Sequence, residues 1–347
     1  MSSTHKDKDV TPGSDLPEAK DELFLDQTLR PSAWKDYIGQ KNIKDNLEIL
    51  LRAAQERKHP PEHILFYGPP GLGKTTLAHL IAKETGAQIK ITSGPSIEKV
   101  ADLASILTNM TPGSILFIDE IHRLPKTIEE MLYPAMESGV LDIIIGKGPS
   151  ARTLQLELPP FTLIGATTRI AMLSSPMRSR FSGGVFRLEF YTDEELAEII
   201  TRSARILEIE LERSAAHEIA SRSRYTPRTA NYLLKRARDF AQIKKTALTR
   251  ETVTETLKLL GIDELGLLAS DRALLETLIE KFNGGPVGLN TLATSLSEES
   301  STLEEFNEPY LLRLGLIERT PRGRSATDKA YSHLGKKNPN KEQQTLM

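Results

Sequence analysis

The chain has 347 residues, 39% hydrophobic and 27% charged, which is enough to bury more than one core and fits two or three soluble domains. It contains no cysteine, which excludes a disulfide framework and zinc–thiolate sites, and no apolar run approaches the roughly 20 residues that span a bilayer. With a net charge of −2, any contact with nucleic acid must come from local patches and not from a global field.

Residues 1–20 read as a polar, disordered tail without the apolar core of a secretory signal, so the cytoplasm is the expected compartment and no membrane is involved. A large domain over 21–191 follows. After the stretch Leu29–Gln40, apolar residues at Ile43, Leu47, Leu50, Leu51 and Ala54 mark one face of a helix. Ile64–Tyr67 suits a short buried strand, and Gly68–Thr75 then fits G-x-x-x-x-G-K-[ST] with a helical pattern directly behind it. In that setting the glycines, Gly71 and Gly73 among them, let backbone N–H groups close around phosphate oxygens at the positive end of a helix. Lys74 would reach the β- and γ-phosphates of ATP, and the Thr75 hydroxyl would ligate Mg²⁺.

Residues 115–120 form an apolar run closed by two carboxylates, at the strand end where ligands bind in an open α/β sheet. Asp119 would hold Mg²⁺ directly or through water, and Glu120 would orient or deprotonate the attacking water. Phe161–Ala166 is a further strand, ending in Thr167-Thr168-Arg169, where a polar residue could hold that water. Between these strands, Val140–Gly146 and the alternating Leu154, Leu156 and Leu158 read as a hairpin. Its consecutive Ile143, Ile144 and Ile145 point apolar side chains to both faces. That pattern fits either a docking site for another protein or packing wholly within the domain.

Thr192 and Glu195 make a capping box that opens a second domain, 192–262, which is helical throughout. Its Thr226-Pro227-Arg228 starts a helix; Arg228 aimed at the cleft would pair with phosphates, and aimed outward it is one more surface cation. From 265 to 335, three helices and a hairpin with a turn at Thr320–Gly323 are the pattern of a winged helix. Five glutamates between 298 and 308 make its third helix unwelcoming to phosphate, whereas Arg319, Arg322 and Arg324 on the hairpin suit duplex backbone. Residues 336–347 read as a flexible tail.

Several stretches together resemble one family: 68–76, 116–124, 132–137, 141–152, 165–169 and 319–324. They are similar to the RuvB family of AAA+ ATPases, which drive branch migration of Holliday junctions. The resemblance covers residues 21–335 and implies an α/β P-loop ATPase domain with a parallel sheet, a small helical lid and a winged-helix head. It implies a homohexameric ring on duplex DNA, recruited to the junction by a RuvA-type protein through Ile143–Ile145, with a RuvC-type resolvase acting on the product. By the family pattern Leu29, Arg30, Tyr37 and Ile38 surround adenine, and Gly71, Lys74, Thr75 and Thr76 meet the phosphates. Thr168 and Arg228 are the two sensors, Tyr191 lines the cleft between domains, and Arg180 is the finger that reaches a neighbouring subunit's nucleotide. Arg319 and Arg324 contact DNA. Two departures stand out: Arg180-Phe181 is followed by Ser182-Gly183-Gly184, one residue longer than usual, and Ser300 replaces a frequent arginine. A replication initiator or a clamp-loader-like ATPase is the alternative; the inserted hairpin argues against the first and the arginine wing against the second.

Overall fold

The computed structural model describes residues 28–145 and 152–338, so the expected tail at 1–20 and most of that at 336–347 lie outside the described residues. Five parallel strands form the central sheet in the order β2-β3-β6-β1-β7, namely Ile89–Ser93, Ser114–Asp119, Phe161–Thr167, Ile64–Tyr67 and Gly184–Arg187. The three inner strands are mostly apolar because helices cover both faces of the sheet. Ile64, Phe66, Phe117 and Ile164 are fully buried, and each such side chain contributes about 1.5–3 kcal/mol relative to exposure. On one face lie α1 (Lys41–Arg57) and α2 (Lys74–Thr85); on the other lie α3 (Val100–Thr108) and α4 (Lys126–Ser138).

The inserted hairpin pairs β4 (Val140–Ile145) with β5 (Arg152–Glu157). The pairing register sets which residues share a face. Leu141/Leu156 and Ile143/Leu154 share one face, while Val140/Glu157 and Asp142/Gln155 share the other, where Gln155 donates to Asp142 at 3.1 Å. The apolar row packs on the domain at its base, where Leu141 is buried, and runs past it at Leu154, which is 45% exposed. Ile144 and Ile145 are described in backbone only.

Four helices make the lid: α6 (Asp193–Ile206), α7 (Arg213–Ser221), α8 (Pro227–Lys244) and α9 (Arg250–Leu259), after the short α5 (Ser175–Ser179). The capping box forms as the sequence predicts, with Glu195 N–H on the Thr192 hydroxyl at 3.2 Å and Thr192 N–H on the Glu195 carboxylate at 2.9 Å. The head has its own core around Leu274, Leu278, Leu292 and Leu311. It contains α10 (Ala269–Glu280), α11 (Leu289–Leu296), a π-helical turn at Leu303–Asn307, α12 (Glu308–Leu314), the hairpin β8–β9 (Ile317–Thr320, Gly323–Ala326) and α13 (Asp328–His333).

Two of the contacts that join the head to the rest are made by arginines of the other domains. In the first, Arg224 and Tyr225 both sit in the left-handed region, at φ of 55° and 57°, immediately before the cap of α8. Arg224 pairs with the fully buried Asp271 and donates to the Phe306 carbonyl at 2.8 Å, its guanidinium 4.4 Å from the Tyr310 ring centroid. Asn307 adds a hydrogen bond to Asp271 at 2.7 Å. The second contact is at the surface, where Arg169 meets Glu305 and, at 3.5 Å, Glu304. The five glutamates of 298–308 are therefore not all alike: two face Arg169, and Glu308 is fully buried.

Candidate nucleotide site

The carboxyl ends of β1, β3 and β6 stand side by side, so the loops leaving them converge at one edge of the sheet. The loop after β1 carries Gly71 at φ +80°, where a Cβ would come within 3.1 Å of Arg228 Cβ; a side chain there would push the lid away. Lys74 opens α2, is buried, and donates to the carbonyls of Gly68 and Pro69 at 2.9 and 3.0 Å. Burial drives its pKa down to about 8, with Arg228 pushing the same way and Asp119 and Glu120 opposing. A lysine so desolvated favours an incoming anion strongly, which fits the residues to a triphosphate.

Glu120 follows β3 in the left-handed region at φ 47°, an uncommon state for a glutamate and the kind of local strain that gathers at working sites. The strained turn brings its carboxylate 3.2 Å from the Thr168 hydroxyl and 3.2 Å from His122 Nδ1, which also lies 2.9 Å from the Thr167 hydroxyl. Burial lowers the His122 pKa, which makes the ring a neutral hydrogen-bonding prop for Glu120 near pH 7.

The cleft is walled by Leu29, Arg30, Tyr37 and Ile38 on one side and by Tyr191 and Arg228 on the lid side. Gly71, Gly73, Lys74, Thr75, Thr76, Asp119 and Glu120 form its floor. Tyr191 fixes the junction: its hydroxyl lies 3.1 Å from that of Tyr37 and 3.3 Å from the Leu72 carbonyl, and burial pushes its pKa up to about 12. Arg228 stands at the start of α8, facing inward, which decides between its two sequence readings.

Arg180 is turned away from this cleft. Its guanidinium lies over the Tyr133 ring at 4.2 Å, pairs with Glu137 at 3.0 Å and donates to the Pro176 carbonyl at 2.7 Å. The extra residue behind it is taken up in a turn where Gly183 N–H bonds the His63 carbonyl at 2.9 Å. Ser300, at the other departure, bonds the Asn290 side chain at 2.8 Å. In the head Arg322 is exposed at the hairpin turn, whereas Arg319 and Arg324 both meet Glu308.

Sequence reasoning missed Arg202, Ile199 and Asn231 of the cleft wall. Arg202 donates to the carbonyls of Asp36 and Leu29 at 2.8 and 2.6 Å and so ties the lid to the wall that carries Tyr37. Its signal was present: it falls three residues after the buried Ile199, a cation on an apolar stripe.

A parallel sheet with a phosphate loop, an acidic strand end, a helical lid bearing an arginine and a winged-helix head together define a P-loop ATPase of the AAA+ class. Family models match the chain in three consecutive pieces: a Holliday junction DNA helicase RuvB P-loop domain at 29–188, a RuvB AAA lid domain at 191–263 and a RuvB C-terminal winged helix domain at 264–335. The chain belongs to the RuvB family. It is 58% identical over 315 residues to the Holliday junction branch migration complex subunit RuvB of Dehalococcoides mccartyi (strain CBDB1), 90% of each chain being covered. Among solved structures, the Thermotoga maritima RuvB Holliday junction branch migration motor is 49% identical, with a TM-score of 0.83 over 90% of this chain and all of that one. An arginine-to-alanine variant of the same Thermotoga protein gives 0.82, again at 49% identity, over 90% of this chain and 99% of that one. No helix among the described residues is long and apolar enough to cross a membrane.

Proposed function

We propose that this chain is an ATP-driven motor that moves duplex DNA and so drives branch migration of Holliday junctions in homologous recombination and DNA repair. The meeting of Lys74, Asp119, Glu120 and Arg228 in one cleft, within a chain that also carries a basic wing, is the observation behind this reading. The names of the Dehalococcoides and Thermotoga relatives support it.

Lys74 and the N–H groups of the phosphate loop bind the β- and γ-phosphates, and Tyr37, Ile38, Leu29 and Arg30 hold the base. Mg²⁺, when bound, supplies positive charge at the transferring phosphoryl oxygens. Thr75 and Asp119 are the residues that would hold it. One hydroxyl and one carboxylate suit a hard cation that takes its other oxygens from substrate and water, and no cluster of three or more His, Asp or Glu capable of caging a metal occurs among the described residues. Glu120 accepts the proton of the attacking water, with Thr168 orienting it and Arg228 reading the γ-phosphate from the lid.

Arg180, parked outside its own cleft, acts on the nucleotide of the next subunit in a hexameric ring. A finger in trans makes hydrolysis in one subunit depend on the position of another. A RuvA-type protein docks on the overhanging apolar row of β4–β5, and a RuvC-type resolvase cuts the product.

The test is ATP hydrolysis and strand exchange on a synthetic four-way junction, with and without the junction-binding partner. Movement of the junction only when ATP and partner are both present is the expected result. Hydrolysis without movement under every condition would favour an initiator or a clamp-loader-like ATPase.

A further inference from the structure

Arg169 directly follows Thr168, and its two ends are engaged in different domains. The guanidinium leaves the ATPase domain to pair with Glu305 and, at 3.5 Å, with Glu304 of the head. The backbone N–H points inward and donates to the Thr167 hydroxyl at 3.0 Å. Thr167 is fully buried, and its hydroxyl lies 2.9 Å from His122 Nδ1. The same ring nitrogen is 3.2 Å from Glu120 Oε2, to which Thr168 also donates at 3.2 Å. One residue thus has its side chain on the head and its backbone among the contacts that hold the Glu120 carboxylate.

The head side of this contact is fixed as well. Glu304 and Glu305 belong to the π-helical turn Leu303–Asn307, whose two end residues are buried. Asn307 bonds the buried Asp271 at 2.7 Å, and Arg224 of the lid donates to the Phe306 carbonyl at 2.8 Å. Arginines from both other domains therefore close on a single turn of the head. Turns of this kind are rare and gather at functional positions. Because the turn is bound into the head, its carboxylates move when the head moves. Arg169 is 30% exposed and each glutamate 44%, so the pair can shift an equilibrium by no more than about fivefold.

We propose that Arg169 is a positioning residue through which the head tunes ATP hydrolysis. While Glu304 and Glu305 hold its guanidinium, the step Thr167–Arg169 keeps Thr168 and His122 on Glu120. When the head moves away the step loosens, and hydrolysis slows. This rests on the reading that Glu120 and Thr168 act on the attacking water.

The experiment measures steady-state ATP hydrolysis by the full chain without DNA. The double variant Glu304→Gln/Glu305→Gln leaves the ATPase domain and the lid untouched. It should lower kcat by about three- to fivefold while KM for ATP stays within about twofold. Arg169→Ala should give the same split. Arg169→Glu, which sets like charges together, should fall further. Combining it with Glu304→Arg/Glu305→Arg should restore kcat to within about twofold of the starting value. The glutamine pair is isosteric and lies at the surface, so it decides the matter if a charge-swapped chain does not fold. Unchanged or raised kcat in the glutamine pair, a loss carried by KM alone, or a folded charge swap without recovery overturns the positioning role. Near-normal turnover in Glu120→Gln would instead remove the reading of the cleft, and the proposal with it.

Discussion

Two arginines border the nucleotide machinery, and they are treated in opposite ways. Arg228 rides on the lid and enters the cleft of its own chain, where a Cβ on Gly71 would lie 3.1 Å from its own Cβ. Arg180 belongs to the ATPase domain itself, yet it is laid over Tyr133 and held by Glu137. On the function proposed above, a protomer would assemble one side of the catalytic electrostatics internally and keep the other cation in reserve. The holding contacts differ in kind too. Arg180 pairs with a carboxylate that is 57% exposed, a contact worth about 0–1 kcal/mol and easily given up.

Changes at the cleft and at the two arginines should separate accordingly. The largest loss is expected for Lys74→Ala, which removes the buried cation beneath the phosphates. Nucleotide binding by calorimetry should disappear and turnover should fall by more than about 100-fold. Near-normal turnover would break the site assignment outright. Arg180→Ala should leave nucleotide affinity largely intact while hydrolysis falls about 1,000-fold or more. Mixing it with the Lys74 variant should recover some activity, since each supplies what the other lacks; no recovery at any mixing ratio would argue for action in cis. For Arg228→Ala the expected loss is intermediate, roughly 10- to 100-fold in turnover, and mixing with the Lys74 variant should rescue nothing beyond the sum of the parts. Glu137→Gln should have the smallest effect, less than about threefold on hydrolysis, because it only loosens a surface pair. A collapse of activity there would mean that Glu137 does more than park the finger.

Much of this was legible beforehand because it is local in sequence. The phosphate loop, the acidic end of β3, the capping box at Thr192 and the turn of the wing each follow from a few adjacent residues. Arg228 was legible as a residue but not as an orientation, since nothing in Thr226-Pro227-Arg228 says which way the lid folds back. The family resemblance supplied Arg180, whose present partner Glu137 lies in another helix. What escaped detection depends on pairing over long separations. In the sequence Glu308 is one of five glutamates of the third helix, and nothing nearby shows that Arg319 and Arg324 converge on it from the hairpin. Arg169 and its two glutamates are separated by more than 130 residues. The hairpin β4–β5 was recognised as such, but register decides faces. Only the pairing of Ile143 with Leu154 reveals that the apolar row is continuous with the core at one end and overhangs at the other.

The left-handed pair Arg224–Tyr225 has a mechanical consequence. From Arg224, clamped to Asp271 and Phe306 of the head, to Arg228, touching the phosphate loop, there are only four peptide links, and the residues between are capped or stacked, not slack. A crankshaft this short leaves little slack, so on the proposed function a shift of the loop around a nucleotide would be passed on to the head. Lengthening the segment by a single glycine is expected to let the engine idle, with ATP hydrolysis kept and junction movement lost in the strand-exchange assay.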